Sequence, residues 1–437
     1  MLAIRPQVII LAQDPSIVVI GCGTVGLATA VAFALSGFVV RGVDSSASRV
    51  AALNRGDNGD GESAVTNGLR QALAQGHISF ESAMFPAAGR QLFVIAVPTP
   101  VEAGRPVTAI VETAFADAIA VAGPGDIVVV RSTVPVGTTR RLAARAGKTD
   151  VHVVSCPDRS LSGASLSGQS SIPHVIGGTD QAATNAASEL FARLGPVVAV
   201  GSAEAAEAVK LFCNVQRDTL FGLANQFAIL AERLGLDFSE IRDAAAQGYK
   251  LFLPTRAGPV GGPCLPKDVH LLAGSLPNSC ELTSVSLAAR ALNYSVVDHT
   301  AQLIAAHVTE HAYGPSPRIA VFGLAFKGGT SDERGSFGRA LADKLRQEYP
   351  KADIRIADPI DPHGVLGHVA SADAVVFGTD QPAYSLVSLS AIAGAMAPGG
   401  LIYDLWDLWP RCASIDLPNN IVFRVFGRSE QTPDSGE

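Results

Sequence analysis

The run Ser16-Ile-Val-Val-Ile20, the loop Gly21-Cys-Gly-Thr-Val-Gly26 and the stretch from Leu27 to Leu35 together set the fold class. A β-branched apolar run of this kind makes a strand buried on both faces, the pattern of a parallel sheet. The Ala-rich stretch reads as a helix closed by Gly37, and Phe38 to Val43 reads as a second strand ending at Asp44. Glycines spaced G-x-G-x-x-G between a strand and a helix allow a tight turn, close approach of a pyrophosphate and close helix–strand packing. The pyrophosphate then meets the positive end of the helix. At the end of the second strand, Asp44 accepts hydrogen bonds from an adenosine ribose diol. That favours NAD over NADP, whose 2′-phosphate would face a carboxylate.

The alternation continues through Leu92–Val97, a helix over roughly 108–122, Asp126–Arg131, Val151–Ser155 and Val197–Val200. A doubly wound parallel sheet is therefore expected over residues 1–200. From Ala203 to about Leu234 the chain has helical periodicity with Gly222 as its only Gly or Pro, and Leu282–Val308 is helical again. Residues 201–312 read as a helical middle domain built on one long helix. His311–Pro317, with Gly314, Pro315 and Pro317, reads as a linker. Beyond it, Arg318–Gly323, Ile354–Ala357, Ala374–Phe377 and Leu401–Asp404 open a second Rossmann-like α/β series over 313–437. The tail after Arg428 is polar.

The 437 residues suit about three domains at roughly 150 residues each. With 48% hydrophobic and 17% charged residues the chain can bury large cores, which excludes a disordered or collagen-like class. A net charge of −7 without a basic cluster argues against nucleic acid as a partner. No uncharged apolar run reaches the roughly 18 residues of a membrane helix. The N-terminal run Val8–Ala12 is short and is broken at Gln13-Asp14-Pro15, so a cytoplasmic protein is expected. The six cysteines at 22, 156, 213, 264, 280 and 412 form no C-x-x-C pair and read mostly as small buried residues.

Two loops, Val97-Pro-Thr-Pro100 and Ser132-Thr-Val-Pro-Val-Gly137, end predicted strands, where ligands bind open α/β sheets. Their hydroxyls reach the nicotinamide side of a dinucleotide, or the loops are ordinary Pro-containing turns. On the long helix Lys210 and Asn214 are four apart and share a face, with Asp218 one turn on. They either stabilise an oxyanion or form a solvated polar pair. In Gly261-Gly-Pro-Cys264-Leu-Pro-Lys267-Asp268, glycines clear space beside the sulfur, prolines stiffen the turn and Lys267 favours a thiolate. The alternative is a buried, inert cysteine. No cluster has metal-ligand spacing, so no metal is expected.

Taken in order, these motifs resemble the nucleotide-sugar 6-dehydrogenases, which act on UDP-glucose, UDP-N-acetylhexosamines or GDP-mannose. The resemblance adds Ile176-Gly-Gly178, Ala206-Glu-Ala-Val-Lys210 and Gly323-Leu-Ala-Phe-Lys327 with Asp332-Glu-Arg334-Gly-Ser336. It implies oxidation of a sugar C6 hydroxyl by NAD+ in two steps to a uronic acid, through a thiohemiacetal and a thioester on Cys264. By the same resemblance Lys210 and Asn214 hold the oxyanion, while Asp268, Thr133 and Asp158 position water. The cofactor set it implies is Gly21, Gly23, Thr24, Val25, Gly26, Asp44, Arg49, Val97, Pro98, Thr99, Ser132, Thr133, Lys267 and Arg334. The substrate set is Lys210, Asn214, Lys250, Phe252, Gly258, Gly261 and Lys327. The C-terminal domain would hold the nucleotide, and the long helix would make a homodimer.

Four departures lie near the substrate. Asp158 stands where the family has Glu, and Pro259 replaces a glycine. Lys250 stands for an arginine, and Asp404-Leu-Trp406-Asp407 replaces Asp-Gly-Arg-Asn. They motivate two competing expectations: a catalytically weak sugar-nucleotide-binding paralogue, and a two-electron hydroxyacid-type NAD dehydrogenase. The latter gives Cys264 and the C-terminal residues no task.

Overall fold

The computed structural model describes residues 14–59, 61–276, 281–311, 316–359, 361–409 and 417–428. The run Val8–Ala12, Gly314 and Pro315 of the linker, the 312/313 boundary, Cys280, Cys412 and the tail beyond Arg428 lie outside the described residues.

The chain forms two compact units. One runs to Cys213 and includes the segment beginning at His270. The other runs from Asn214 to Val269 and resumes at Glu281. Strands of the first unit are β1 (Ser16–Ile20), β2 (Val40–Val43), β3 (Ile78–Glu81), β4 (Gln91–Ile95), the two-stranded ribbon β5 (Val101–Glu102) and β6 (Arg105–Pro106), β7 (Ile127–Val130), β8 (His152–Ser155), β9 (His174–Gly178) and β10 (Val197–Ala199). Apart from the ribbon they form an eight-stranded sheet in the order β10-β9-β8-β7-β4-β1-β2-β3. Pairing is parallel except between β8 and β9, which meet antiparallel. Successive strand residues serve opposite faces. Ile17, Val19, Leu92 and Val94 pack with Leu27, Val31 and Phe33, while Val18, Ile20, Phe93 and Ile95 pack with Val111 and Phe115. Both faces are covered, which explains the unbroken β-branched runs.

In the second unit β11 (Arg318–Phe322), β12 (Asp353–Ala357), β13 (Ala374–Phe377), β14 (Leu401–Asp404) and β15 (Val422–Val425) form a sheet ordered β12-β11-β13-β14-β15, all parallel. One face packs Ile319, Val321, Val376 and Tyr403 against Ala224, Ala228 and Ala231 of the long helix and Val296 and Ile304 of the helix Ser284–Glu310. The middle helices thus share a core with the C-terminal sheet. The long helix, Ala203–Leu234, spans 32 residues, about 48 Å at 1.5 Å per residue. Its lone Gly222 is a helix crossing: an added Cβ would sit 2.4 Å from the carbonyl oxygen of Ala289.

Candidate active site

In the first sheet the chain leaves β1 and β4 toward opposite sides, so the loops following them flank the crevice where open α/β sheets bind ligands. The glycine loop lines that crevice. Gly21 has φ +88°, and an added Cβ there would lie 2.7 Å from the Ala96 carbonyl oxygen. At Gly26 an added Cβ would lie 1.8 Å from the Gly21 oxygen, whereas at Gly23 it would meet nothing within 4 Å. The helix Thr24–Leu35 begins at Gly23 without a side-chain cap, so Thr24, Val25 and Gly26 offer first-turn N–H groups. The Cys22 peptide is clamped at both ends. Its N–H donates to Asp44 Oδ2 at 2.9 Å, and its carbonyl accepts from Arg49 Nε and Nη2 at 3.2 Å each. Asp44 Oδ1 accepts from Ser46 N–H at 2.9 Å. A carboxylate has about four acceptor positions, so two remain for a ribose diol. Open space, an uncapped helix start and an acceptor carboxylate together fit NAD. Burial pushes the Cys22 thiol up to about 12, with Asp44 adding to it, so that cysteine is packing.

The hydroxyls after β4 and β7 are turned inward. Ser132 Oγ donates to the Val97 carbonyl at 2.7 Å and Thr99 Oγ1 to the Thr133 carbonyl at 2.7 Å. They tie the two loops together at the crevice. Thr133 is half-buried between them, and Pro98 is exposed. Asp158 sits in a buried network centred on Arg131. The guanidinium donates to Asp158 Oδ1 at 2.9 Å, Gln169 Oε1 at 2.7 Å, the Cys156 carbonyl at 3.1 Å and Thr29 Oγ1 at 3.1 Å. Burial would raise the Asp158 carboxyl. The Arg131 charge, the Ser160 hydroxyl, the Lys210 charge and the Gln169 amide outweigh it and hold it below the usual carboxylate range.

Lys210 is buried, as are Asn214 and Asp218 further along the helix. That face is not a solvated polar stripe. One turn before Lys210, the 1%-exposed Glu207 accepts from Gly137 N–H at 2.6 Å, Thr139 N–H at 2.8 Å and Thr139 Oγ1 at 2.6 Å. It caps the helix Thr138–Ala146, whose N-cap glycine brings no side chain of its own. Burial raises Glu207 despite these bonds. Arg131 and Glu207 are buried, functional-site charges that the sequence alone does not single out. Their signal is weak, a lone charge at the end of a β-branched run and another within an Ala-rich helix.

In the second unit Cys264 is exposed and precedes the helix Leu265–Ala273. Its carbonyl accepts from Lys267 and Asp268 N–H at 3.1 and 3.0 Å, so the positive end of that helix lies beside the thiol and favours negative charge there. Asp268 is 1% exposed. It accepts from Asn214 Nδ2 at 2.6 Å and Lys267 Nζ at 2.8 Å. Arg334 lies within electrostatic reach of Cys264 and pairs with Asp332 at 2.5 Å. Its carbonyl accepts from Gly262 N–H at 2.8 Å, and Gly261 packs so closely that an added Cβ would sit 2.2 Å from the Gly335 carbonyl oxygen. Gly258 is buried by Trp406, Lys250 is exposed, and Phe252 is half-buried.

The second sheet has its own crevice between β11 and β13. Lys327, half-buried with its ammonium over the Phe326 ring at 5.8 Å, lies on the loop after β11. That loop is tied to the one after β13 by Gly328 N–H donating to Asp380 Oδ1 at 2.8 Å. At the end of β12, Asp358 accepts from the N–H groups of Gly323, Leu324 and Ala325 at 2.7, 2.9 and 2.5 Å. It echoes Asp44, but here the acid is taken up by the N–H groups of the loop after β11.

Residues 15–195 match the UDP-glucose/GDP-mannose dehydrogenase family, NAD binding domain, and residues 204–295 its central domain. A UDP-N-acetyl-D-mannosamine dehydrogenase of Pyrococcus horikoshii is 32% identical over 427 residues, covering 95% of this chain and 99% of the relative. An NDP-N-acetyl-D-galactosaminuronic acid dehydrogenase of Ralstonia nicotianae is 30% identical over 76% of this chain and 80% of its own. Among solved structures, the UDP-D-ManNAc dehydrogenase of P. horikoshii superposes with a TM-score of 0.83 at 27% identity, covering 95% of this chain and 100% of the other. A UDP-glucose dehydrogenase of Pyrobaculum islandicum does so with 0.79 at 25% identity, covering 95% and 98%. The glycine crevice, the exposed thiol and matches running the length of both units agree: the chain belongs to the UDP-glucose/GDP-mannose dehydrogenase family and is an NAD-dependent nucleotide-sugar dehydrogenase.

Proposed function

We propose that this protein oxidises the C6 hydroxyl of a UDP-N-acetylhexosamine to the carboxylate, a four-electron reaction with Cys264 as nucleophile. The observation that carries this is the exposed Cys264 at a helix start, followed within one turn by Lys267 and Asp268, with Asp268 bonded to Lys267 and to Asn214 of the long helix. NAD+, when bound, supplies the hydride acceptor for each oxidation. The chain supplies the rest. An aldehyde carbon must become tetrahedral before it can lose hydride, and the Cys264 thiolate achieves this by forming a C–S bond. Lys210 and the Asn214 amide, four apart on one helix face, hold the resulting oxyanion. After the second oxidation the thioester carbon takes water, the C–S bond breaks, and the uronate leaves with Cys264 regenerated. Asp268 is the group to accept the water proton. Asp158, held ionised by Arg131, has low proton affinity and suits orientation of water with Thr133.

The UDP-N-acetylhexosamine assignment follows the P. horikoshii relative and rests on Lys327 and the loops around the second crevice for nucleotide contact. The exposed apolar stripe Leu223, Phe227, Leu230 and Leu234 on the long helix supports a homodimer. No helix among the described residues is long and apolar enough to cross a membrane, and a reduced nucleophilic cysteine suits the cytoplasm.

The test counts NADH formed per sugar consumed over a panel of UDP-, dTDP- and GDP-sugars. Two is the expected ratio. One identifies a two-electron dehydrogenase, and binding without turnover identifies a non-catalytic paralogue. Cys264→Ser is expected to lower uronate formation at least about 10³-fold while retaining NAD+ binding. Unimpaired uronate formation by that variant refutes the covalent route.

A further inference from the structure

From Gly258 to Pro263 the segment leading to Cys264 has no regular secondary structure. An irregular loop presents a sulfur in one geometry only if its backbone groups are held from outside. They are held at alternate residues. Gly258 N–H donates to Asn225 Oδ1 at 2.7 Å, and the Gly258 carbonyl accepts from Asn225 Nδ2 at 3.0 Å. Two residues on, the Val260 carbonyl accepts from Arg290 Nη2 at 3.2 Å. Two further on, Gly262 N–H meets the Arg334 carbonyl. On its other side Gly258, at φ +153°, lies against the Trp406 ring, which an added Cβ would approach to 3.0 Å.

The two side chains that grip the loop come from different helices and are braced together. Asn225 Nδ2 also donates to Asn293 Oδ1 at 2.8 Å. Asn293 Nδ2 donates to Asp218 Oδ1 and to the Asp218 carbonyl, both at 2.9 Å, and Arg290 Nη1 donates to Asp218 Oδ1 at 2.8 Å. Asp218, Asn225, Arg290 and Asn293 are all 3% exposed or less. Asp218 Oδ2 and Arg290 Nε are buried without a partner. A buried ion pair with orphaned atoms contributes little to stability compared with well-packed apolar residues. What it does supply is a fixed arrangement, because each bond admits one orientation.

We propose that Asn225, Arg290, Asn293 and Asp218 are positioning residues for the oxidation: they hold Gly258 and Val260 so that Cys264 is presented in one reactive geometry. This rests on Cys264 being the nucleophile and adds which groups aim it. Two variants of the full chain test it. Arg290→Lys keeps the charge beside Asp218 but loses the fork that also reaches Val260. Asn225→Asp keeps the acceptor for Gly258 N–H and loses both donated bonds. Both are measured for kcat and KM of uronate formation, for the pH profile of Cys264 alkylation by iodoacetamide against a Cys264→Ser background, and for thermal unfolding. Expected for each is a kcat about ten- to a hundredfold lower with KM within about twofold, and a displaced alkylation profile. The midpoint of unfolding stays within a few degrees for Arg290→Lys. Wild-type kcat and alkylation in both variants, or activity lost only in step with unfolding, overturns the proposal. If the unmodified protein turns over no nucleotide sugar, the functional assignment fails. The alkylation profiles still decide whether the network governs the thiol.

Discussion

At Gly23 an added methyl group meets open space, whereas at Gly26 it collides with the Gly21 carbonyl oxygen. Two glycines of one motif therefore separate into one that leaves room for ligand and one that closes the helix onto the strand. Gly23→Ala is expected to fold normally and to bind NAD+ at least about tenfold more weakly by titration calorimetry. Gly26→Ala is expected to lower the unfolding midpoint or fail to accumulate as soluble protein. Equal NAD+ affinity in Gly23→Ala and the unmodified chain would remove the pyrophosphate from that space. Spacing made these glycines legible, but not the difference between them. For Asp158 the sequence shows an acid one methylene shorter than the family's; its buried partner Arg131 lies 27 residues away. Cys22 and Cys264 look alike as letters. Burial separates an inert thiol from an exposed one.

The long helix carries two faces with different partners. Ala224, Ala228 and Ala231 pack on the second sheet, while Leu223, Phe227, Leu230 and Leu234 recur every three or four residues and are 40–69% exposed. Such a stripe costs solubility unless covered, and this supports the homodimer proposed above. Phe227→Asp combined with Leu230→Asp is expected to weaken self-association by at least about a hundredfold, read by light scattering across protein concentration. An unchanged mass at every concentration would refute self-association through this stripe. The helix itself was legible over Ala203–Leu234 because 3.6-residue periodicity without breakers is a strong local signal. Several short strands were not, the ribbon Val101–Glu102 and Arg105–Pro106 among them. Ile78–Glu81 and Val422–Val425 have only four residues each, and His174–Gly178 ends in glycines. Gly177 is there because a Cβ would sit 1.9 Å from the Ser202 carbonyl oxygen, a contact that no local pattern encodes.

Over the whole chain, each compact unit holds a buried neutral histidine. His174 Nε2 lies 2.8 Å from the Gln169 carbonyl, so that nitrogen carries the proton. Burial, aided by Arg131, pushes His174 from 6.5 down to about 4. Burial and His311 push His307 down to about 4 as well. The unfolded chain takes up these protons before the folded one, so their contribution is present above pH 6.5 and lost as pH falls toward 4. Asp404, raised by burial to about 7, acts in the opposite sense in the second unit. His174→Gln keeps an amide donor for Gln169 and removes the titration. It is expected to lessen the loss of unfolding free energy between pH 6.5 and 4 by up to about 3 kcal/mol, measured by denaturant unfolding at each pH. Parallel stability curves for variant and parent would show that His174 does not titrate differently on folding. Strand and helix periods, the glycine spacing with Asp44, and the setting of Cys264 among Gly, Pro and Lys are local chemistry, so they can be read along the chain. The Arg131–Asp158 pair, the Glu207 cap and the grip of Asn225 and Arg290 on the thiol loop join residues 27, 70, 33 and 30 positions apart. A buried polar group finds its partner only when packing removes water from both, and that choice belongs to the folded chain alone.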